Sequence, residues 1–271
     1  MLPMPRAGAT AGEGPVIVAH RGASAYAPEN TLAAIDRAAA MGFGWVENDV
    51  QRTKDGRLVV IHDDTLDRTT DVKRLFPHRA PWRVKDFTAE EIARLDAGSW
   101  FGTRYSGTRV PTLRQYMERV SHNHQNLVLE IKSPKLYPGI ERETLELLAD
   151  EGWLDPRHLR NRLIVQSFSA ASLRKVHDLR PGVRTAFLGT PRVAELPAYA
   201  RFADQVNSPY TKLSAGYVSA LHAVNGPHDN PLKVFTWTVN SASDARRMVG
   251  LHADGILTNA PDVVRKAVSS P

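Results

Sequence analysis

Leu127-Val128-Leu129-Glu130-Ile131-Lys132, followed by the helical stretch Gly139–Asp150, decides the fold of this chain. The alternation is clean: Leu127, Leu129 and Ile131 share one face of a strand, and Val128, Glu130 and Lys132 share the other. The leucine face has the chemistry to lie under helices, which turns Glu130 and Lys132 toward the opposite side of the sheet. The same strand-then-helix pairing recurs on both sides of this unit. Upstream, Val16–His20 precedes Asn30–Met41, and Trp45–Val50 precedes Thr112–Val120. Downstream come Arg162–Phe168 with Ser169–Leu179, Val183–Leu188 with Pro191–Arg201, and Asp204–Asn207 with Lys212–Val224. Lys233–Val239 with Ala242–Gly250 and Ala253–Leu257 with Pro261–Val268 complete the series. Eight such units predict an α/β fold of one domain, a (β/α)8 barrel over residues 16–271. An open doubly wound sheet is disfavoured by the lack of any G-x-G-x-x-G or Walker A loop.

One interval breaks the spacing. Roughly sixty residues separate the second strand from its helix, far more than an ordinary βα loop. They contain a hairpin-like segment, Thr53–His62, turning at Asp55-Gly56, and a helical segment at Thr88–Leu95. An insertion at about 53–110, on the face where βα loops gather, predicts a small subdomain after strand 2 that covers the site.

Composition limits the function classes. The 271 residues contain no cysteine, which excludes thiolate catalysis, disulfides and Cys-ligated zinc. No apolar run approaches the ~20 residues of a membrane-spanning helix. The formal charge of +6 favours anionic partners, but no run of five basic residues occurs and aromatics do not interleave with Lys and Arg. No nucleic-acid partner is therefore expected. Residues 1–15 are Ala/Gly/Pro-rich without an apolar core segment. They read as a disordered tail and predict a cytoplasmic location, or export if a longer precursor is trimmed.

Period-two reading also sorts the chemistry. Glu47 and Asp49 share one face of their strand, and Val16, Val18 and His20 share a face of the first, which ends on Arg21-Gly22. Glu47, Asp49 and Glu130 inside a barrel would repel one another unless a cation or protons intervene. An all-oxygen set suits Mg²⁺ or Ca²⁺; a buried ion network with Arg21 and Lys132 is the alternative. His20 and His62 close strand-like segments beside this cluster, where imidazoles can move protons at neutral pH. Asp63 has the chemistry to orient an imidazole or simply to form a turn. Trp237, alternating with Phe235 and Val239, faces inward near the mouth or fills the core.

Taken in order, these motifs resemble the glycerophosphodiester phosphodiesterase family. They are His20-Arg21-Gly22-Ala23, Pro28-Glu29-Asn30-Thr31, Glu47-x-Asp49, Thr53–Gly56 (TKDG), His62-Asp63, Leu129-Glu130-Ile131-Lys132, Trp237-Thr238-Val239-Asn240, Asp254-Gly255 and Thr258-Asn259. The resemblance covers nearly the whole chain after the tail. It implies a TIM barrel with an insertion after strand 2 and a divalent cation, Mg²⁺ or Ca²⁺, on Glu47, Asp49 and Glu130. It further implies His20 and His62 as the catalytic pair, Arg21 and Lys132 on the phosphate, and Trp237 against the glycerol. The implied reaction is hydrolysis of a small-molecule phosphodiester to an alcohol and sn-glycerol 3-phosphate, by water or through a cyclic phosphate formed by the glycerol 2-hydroxyl. By position His20 takes the base role and His62 the acid role. Asp71–Val84 departs from the family pattern in being longer and more basic, which bears on headgroup preference.

Two other functions are weighed. A phospholipase D-like action on lysophospholipids or sphingomyelin would need an apolar, membrane-facing rim. Leu75, Phe76, Pro77, Trp82, Trp100, Phe101 and Tyr105 would supply it unless they form the insertion's own core. A non-catalytic phosphodiester binder would be expected to lack a catalytic histidine, and both are present.

Overall fold

The computed structural model describes residues 14–269, so the expected tail lies outside it except for Gly14 and Pro15. Nine strands form one sheet: β1 (Val16–Ala19), β2 (Trp45–Arg52), β3 (Leu58–Val60), β4 (Asn126–Ile131), β5 (Leu163–Ser167), β6 (Thr185–Leu188), β7 (Gln205–Pro209), β8 (Lys233–Trp237) and β9 (Gly255–Thr258). All except β3 run parallel, in the order β1-β2-β4-β5-β6-β7-β8-β9, and β9 pairs with β1 to close the barrel. Closure leaves no edge among the eight. β3 returns antiparallel along the last residues of β2, pairing Val50 with Val60 and Arg52 with Leu58. Its turn puts Gly56 at φ +80°, where a side chain would be strained.

The alternation read in Leu127–Lys132 is carried through in three dimensions. Leu127, Leu129 and Ile131 join the apolar layer between barrel and helices, with Ile35, Tyr116, Met117 and Leu148. Val128 faces inward and meets Val18, Ile164, Ala186, Phe235 and Leu257 in a compact interior layer. Phe235 fits there because β9 offers Gly255 opposite it; a Cβ at that glycine would lie 2.6 Å from the Phe235 ring. Gly22, at φ +79°, allows the chain leaving β1 to press against the helix Leu32–Ala40, since its Cβ would meet Ala34 at 2.5 Å.

Helix starts follow side-chain caps. Thr31 accepts from the Ala34 amide, and Thr112 and Thr88 form reciprocal capping boxes with Gln115 and Glu91. Three differences from the sequence reading have local causes. The stretch expected as a helix over Pro191–Arg201 is a 3-10 turn, Val193–Glu195, followed by Leu196–Tyr199. Pro197 lacks an amide hydrogen and so starts a helix rather than continuing one. The helix expected from Lys212 begins at Ala215 behind the Ser214 cap. A short helix, Pro156–Asn161, capped by Asp155, precedes β5.

Between β3 and the helix Leu113–His122, the chain gathers a separate apolar cluster. Val59, Ile61, Leu66, Val72, Val84, Phe87, Ile92, Leu95, Ala97 and Val110 form it. Leu75, Phe76 and Trp82 pack against this cluster, which assigns them to a local core and not to an open apolar rim. Trp100, 41% exposed, stands edge-on to Phe101, which stands edge-on to Tyr105. The Tyr105 hydroxyl donates to the carbonyl of Tyr26 at 2.6 Å and ties this segment to the loop after β1.

Candidate active site

One step toward the carboxyl end from the apolar interior layer, the inward positions turn polar. Val128 gives way to Glu130 on β4 and Ile164 to Gln166 on β5, while β2 contributes Glu47 and Asp49. Sheet register aligns Asp49 with Glu130 and Glu130 with Gln166. One carboxylate oxygen from each of Glu47, Asp49 and Glu130 falls within 4.8 Å of the others, and all three side chains are buried.

Each carboxylate has a different environment. Glu47 accepts the Arg21 amide at 2.9 Å and the Gln166 side-chain amide at 3.2 Å. Gln166 in turn accepts from Asn207 on β7 at 2.8 Å, and Gln205 donates to Asn207 at 2.8 Å. Asp49 Oδ2 accepts from Asn30 at 2.8 Å and lies 3.4 Å from Arg21 Nε. Glu130 pairs with Lys132 Nζ at 3.0 Å.

Burial pushes the Glu47 carboxyl well above its ordinary range, with Asp49 and Glu130 adding to the effect. Burial and Asp49 raise Glu130 to about 8 against the opposing pull of Lys132. Burial also acts to raise Asp49, but Arg21, His62 and Lys132 outweigh it and hold this carboxyl low. The cluster is thus short of positive charge. Among the described residues, Glu29, Glu47, Asp49, Asp63 and Glu130 are linked to three permanently charged cations, Arg21, Arg68 and Lys132, while His20 and His62 carry charge only when protonated.

That imbalance matches a divalent cation. Asp49 Oδ1 is buried without a hydrogen-bond partner and faces the cluster, with Lys132 Nζ at 3.9 Å. Oxygen ligands of Ca²⁺, at about 2.3–2.6 Å, lie up to about 5 Å apart and span this spacing, whereas those of Mg²⁺, at about 2.0–2.1 Å, reach about 4.2 Å and require the carboxylates to close slightly.

The histidines come from two different strand ends. His20 follows β1, places Nδ1 2.7 Å from Asn259 Oδ1, and turns Nε2 toward Glu47 at 4.0 Å. An amide oxygen only accepts, so Nδ1 carries the hydrogen and Nε2 the lone pair. Burial, with the nearby Arg21 charge, pushes the His20 ring down to about 4. His62 follows β3, with Nδ1 2.7 Å from Asp63 Oδ1 and Nε2 3.2 Å from Lys132 Nζ. A carboxylate on one nitrogen and an ammonium on the other select the same tautomer, with hydrogen on Nδ1. The backbone of this corner is held by Gln51, whose amide donates to the carbonyls of Ile61, His62 and Asp63 at 3.0, 3.1 and 2.7 Å.

Arg21 takes up a left-handed backbone conformation (φ +56°), which sends its amide to Glu47 and its guanidinium to Glu29 at 3.0 Å. Trp237 faces the mouth and donates Nε1–H to the Asn207 carbonyl at 2.8 Å. Its ring meets Phe168 edge-on at 5.7 Å, and Phe168, 54% exposed, lies 5.6 Å from Lys132 Nζ. Val239 leaves this face and enters the helix-side core, because β8 ends at Trp237.

The structure therefore gathers His20, Arg21, Glu47, Asp49, His62, Glu130 and Lys132 into one connected group, with Trp237 on the adjoining wall. Sequence reading did not single out Gln166 and Asn207. For Gln166 the signal was a polar residue at an inward position of a largely apolar strand; Asn207 shares its face with Gln205 in a mostly polar strand, which gave no such contrast. Gln51 continues the inward face of Glu47 and Asp49, and Phe168 carried no sequence signal beyond closing a strand.

Comparison with known proteins gives a consistent result. The model of the family described as "Glycerophosphoryl diester phosphodiesterase family" matches residues 20–263. YhdW of Bacillus subtilis is 39% identical over 92% of this chain and 96% of its own length. The glycerophosphodiester phosphodiesterase of Caldanaerobacter subterraneus subsp. tengcongensis is 38% identical over the same shares. Among solved structures, a phosphodiesterase of Oleispira antarctica in complex with the product sn-glycerol-3-phosphate superposes with a TM-score of 0.81. It is 28% identical and covers 95% of this chain and 98% of that one.

Proposed function

The chain belongs to the glycerophosphoryl diester phosphodiesterase family, and from that membership we propose how it hydrolyses its substrate: glycerophosphodiesters are cleaved to an alcohol and sn-glycerol 3-phosphate by the His20/His62 pair beside a divalent cation on Glu47, Asp49 and Glu130. The observation that carries this reading is the meeting of three buried carboxylates, two cations and two imidazole rings at one barrel mouth.

Arg21 and Lys132 flank the carboxylates and bind the phosphodiester oxygens. Their charges offset the negative charge that grows there as the bond to the leaving alcohol breaks. A bound cation supplies further Lewis-acid stabilisation of those oxygens. His20 receives the proton of the attacking hydroxyl, which belongs to water or to carbon 2 of the substrate glycerol. Its Nε2 lone pair is exposed toward the site, while a neutral amide, Asn259, fixes the opposite nitrogen. His62 protonates the departing alcohol once Lys132 has turned to the phosphate and Nε2 has taken up a proton. A carboxylate, Asp63, holds its Nδ1 and orients the ring. This difference in partners, amide against carboxylate, supports the two role assignments. Trp237 and Phe168 form an apolar wall for the glycerol carbons beside Lys132.

The test is release of glycerol 3-phosphate from glycerophosphocholine, with EDTA and then with Mg²⁺ or Ca²⁺ restored. Turnover that stops with EDTA and returns with the ion is expected. Turnover indifferent to EDTA would remove the cation from the reading, and tight binding without turnover would remove the reaction.

A further inference from the structure

Arg68 belongs to neither strand of the site, yet it touches both halves. It lies in the loop after β3, two residues past Leu66, which is fully buried in the apolar cluster of residues 53–110. Leu66 thereby fixes the backbone that presents Arg68. The Arg68 guanidinium forks onto two carboxylates. Nη1 and Nη2 donate to Glu29 at 2.9 and 2.7 Å, and Nε and Nη2 donate to Asp63, the second contact at 3.1 Å.

Those two carboxylates are the partners of two other site groups. Glu29 accepts from Arg21, and Asp63 holds Nδ1 of His62. The chain Arg21–Glu29–Arg68–Asp63–His62 thus joins the end of β1 to the end of β3 through charge-assisted hydrogen bonds only. Four Arg68 N–H bonds go to Glu29 and Asp63, which commits its guanidinium to these acids and not to a phosphate. A lysine could replace the charge but not the fork, because a single ammonium cannot span two carboxylates in fixed planes.

We propose that Arg68 is a positioning residue: its fork between Asp63 and Glu29 locks the His62 ring and the Arg21 guanidinium into one relative geometry. The inference rests on the reading of His62 and Arg21 given above. It predicts that the inserted segment contributes to the catalytic apparatus beyond His62, through a residue that does not itself touch the phosphate. Loss of the fork frees Asp63 to rotate, and the His62 Nδ1–H then loses its fixed acceptor while Lys132 still faces Nε2.

The variants Arg68→Ala, Arg68→Lys, Asp63→Asn and the double variant Arg68→Ala/Asp63→Asn test this, with kcat, KM and thermal unfolding measured on glycerophosphocholine. Arg68→Ala is expected to lower kcat about tenfold to a hundredfold, the usual loss when a residue that orients a functional group is removed. KM and the unfolding temperature should change little, as the guanidinium is 44% exposed. Arg68→Lys should recover little of the loss. The double variant should be no worse than the poorer single variant, because both act through one link.

The ring-nitrogen NMR spectrum of His62 gives a readout independent of turnover. A sharp, hydrogen-bonded Nδ1–H signal is expected in the unaltered protein, and its broadening or loss in Arg68→Ala. A kcat within twofold of the unaltered protein, multiplicative losses in the double variant, or an unchanged His62 spectrum would each overturn the proposal. If the unaltered protein turned over no glycerophosphodiester, the functional reading would fall, and the His62 spectrum would still decide the role of Arg68.

Discussion

The two levels of the barrel interior lie only one inward position apart and are built on opposite principles. The lower level, with Val18, Val128, Ile164, Ala186, Phe235 and Leu257, is apolar and close-packed. The upper level, with Glu47, Asp49, Glu130, Gln166 and Asn207, is equally buried and almost entirely polar. Burial stabilises the first, at roughly 1.5–3 kcal/mol per large side chain. It strains the second, where neighbouring carboxylates raise one another and no solvent screens them. One set of strands therefore carries a stabilising layer directly beneath a destabilised one, and the charge imbalance of the upper layer is what a bound ion would relieve.

The largest effect is expected from Glu130→Gln. It removes one donor from the carboxylate triad while keeping the side-chain shape, and turnover should fall at least about a hundredfold, as when other preorganised charge is lost. The unfolding temperature of the ion-free protein should not fall. Retained activity would show that the upper level is an ordinary ion network.

The converse change is Phe235→Ala in the lower level. Unfolding in urea should show a loss of about 3–5 kcal/mol, typical of a large aromatic removed from a core. The specific activity of the folded fraction should stay near that of the unaltered protein. If turnover fell with stability barely changed, the two levels would not be separable.

A smaller effect separates the levels by pH. Glu130 is raised in the folded protein to about 8, against about 4.3 when unfolded. Between these values the folded form holds a proton that the unfolded form has lost, so stability falls as pH rises. His20, pushed down to about 4, acts oppositely as pH falls below about 6.5, where the unfolded imidazole begins to protonate. The clean window is therefore about pH 6.5–8. There, EDTA-treated protein should lose stability as pH rises, at up to ~1.4 kcal/mol per unit for each proton held by Glu130 and Glu47. Glu130→Gln should reduce the slope, Glu130→Gln with Glu47→Gln should flatten it, and Mg²⁺ or Ca²⁺ should suppress it. A slope unchanged in the double variant would assign the effect to another group.

Much of this organisation was legible in the chain itself. Strand period two placed Val128 and Glu130 on one face and the three leucine-type residues on the other. The spacing of strands and helices led to the barrel. Those signals are local, since they depend on backbone geometry over a few residues. The helix boundaries near Pro197 and Ser214 were misjudged, because a proline and a serine act through a missing or captured amide hydrogen that apolar periodicity does not register.

What the sequence by itself determined was the identity and facing of single groups: Glu47 beside Asp49, Glu130 beside Lys132, a histidine at the end of each of two strands. Only the tertiary structure decided their partners. Gln166 reaches Glu47 across 119 residues, Asn259 reaches His20 across 239, and Arg68 meets Glu29 across 39. Those pairings are set by sheet register and barrel closure. Hydrogen-bond geometry tolerates errors of only tenths of an ångström, whereas the periodicity of a sequence gives direction alone.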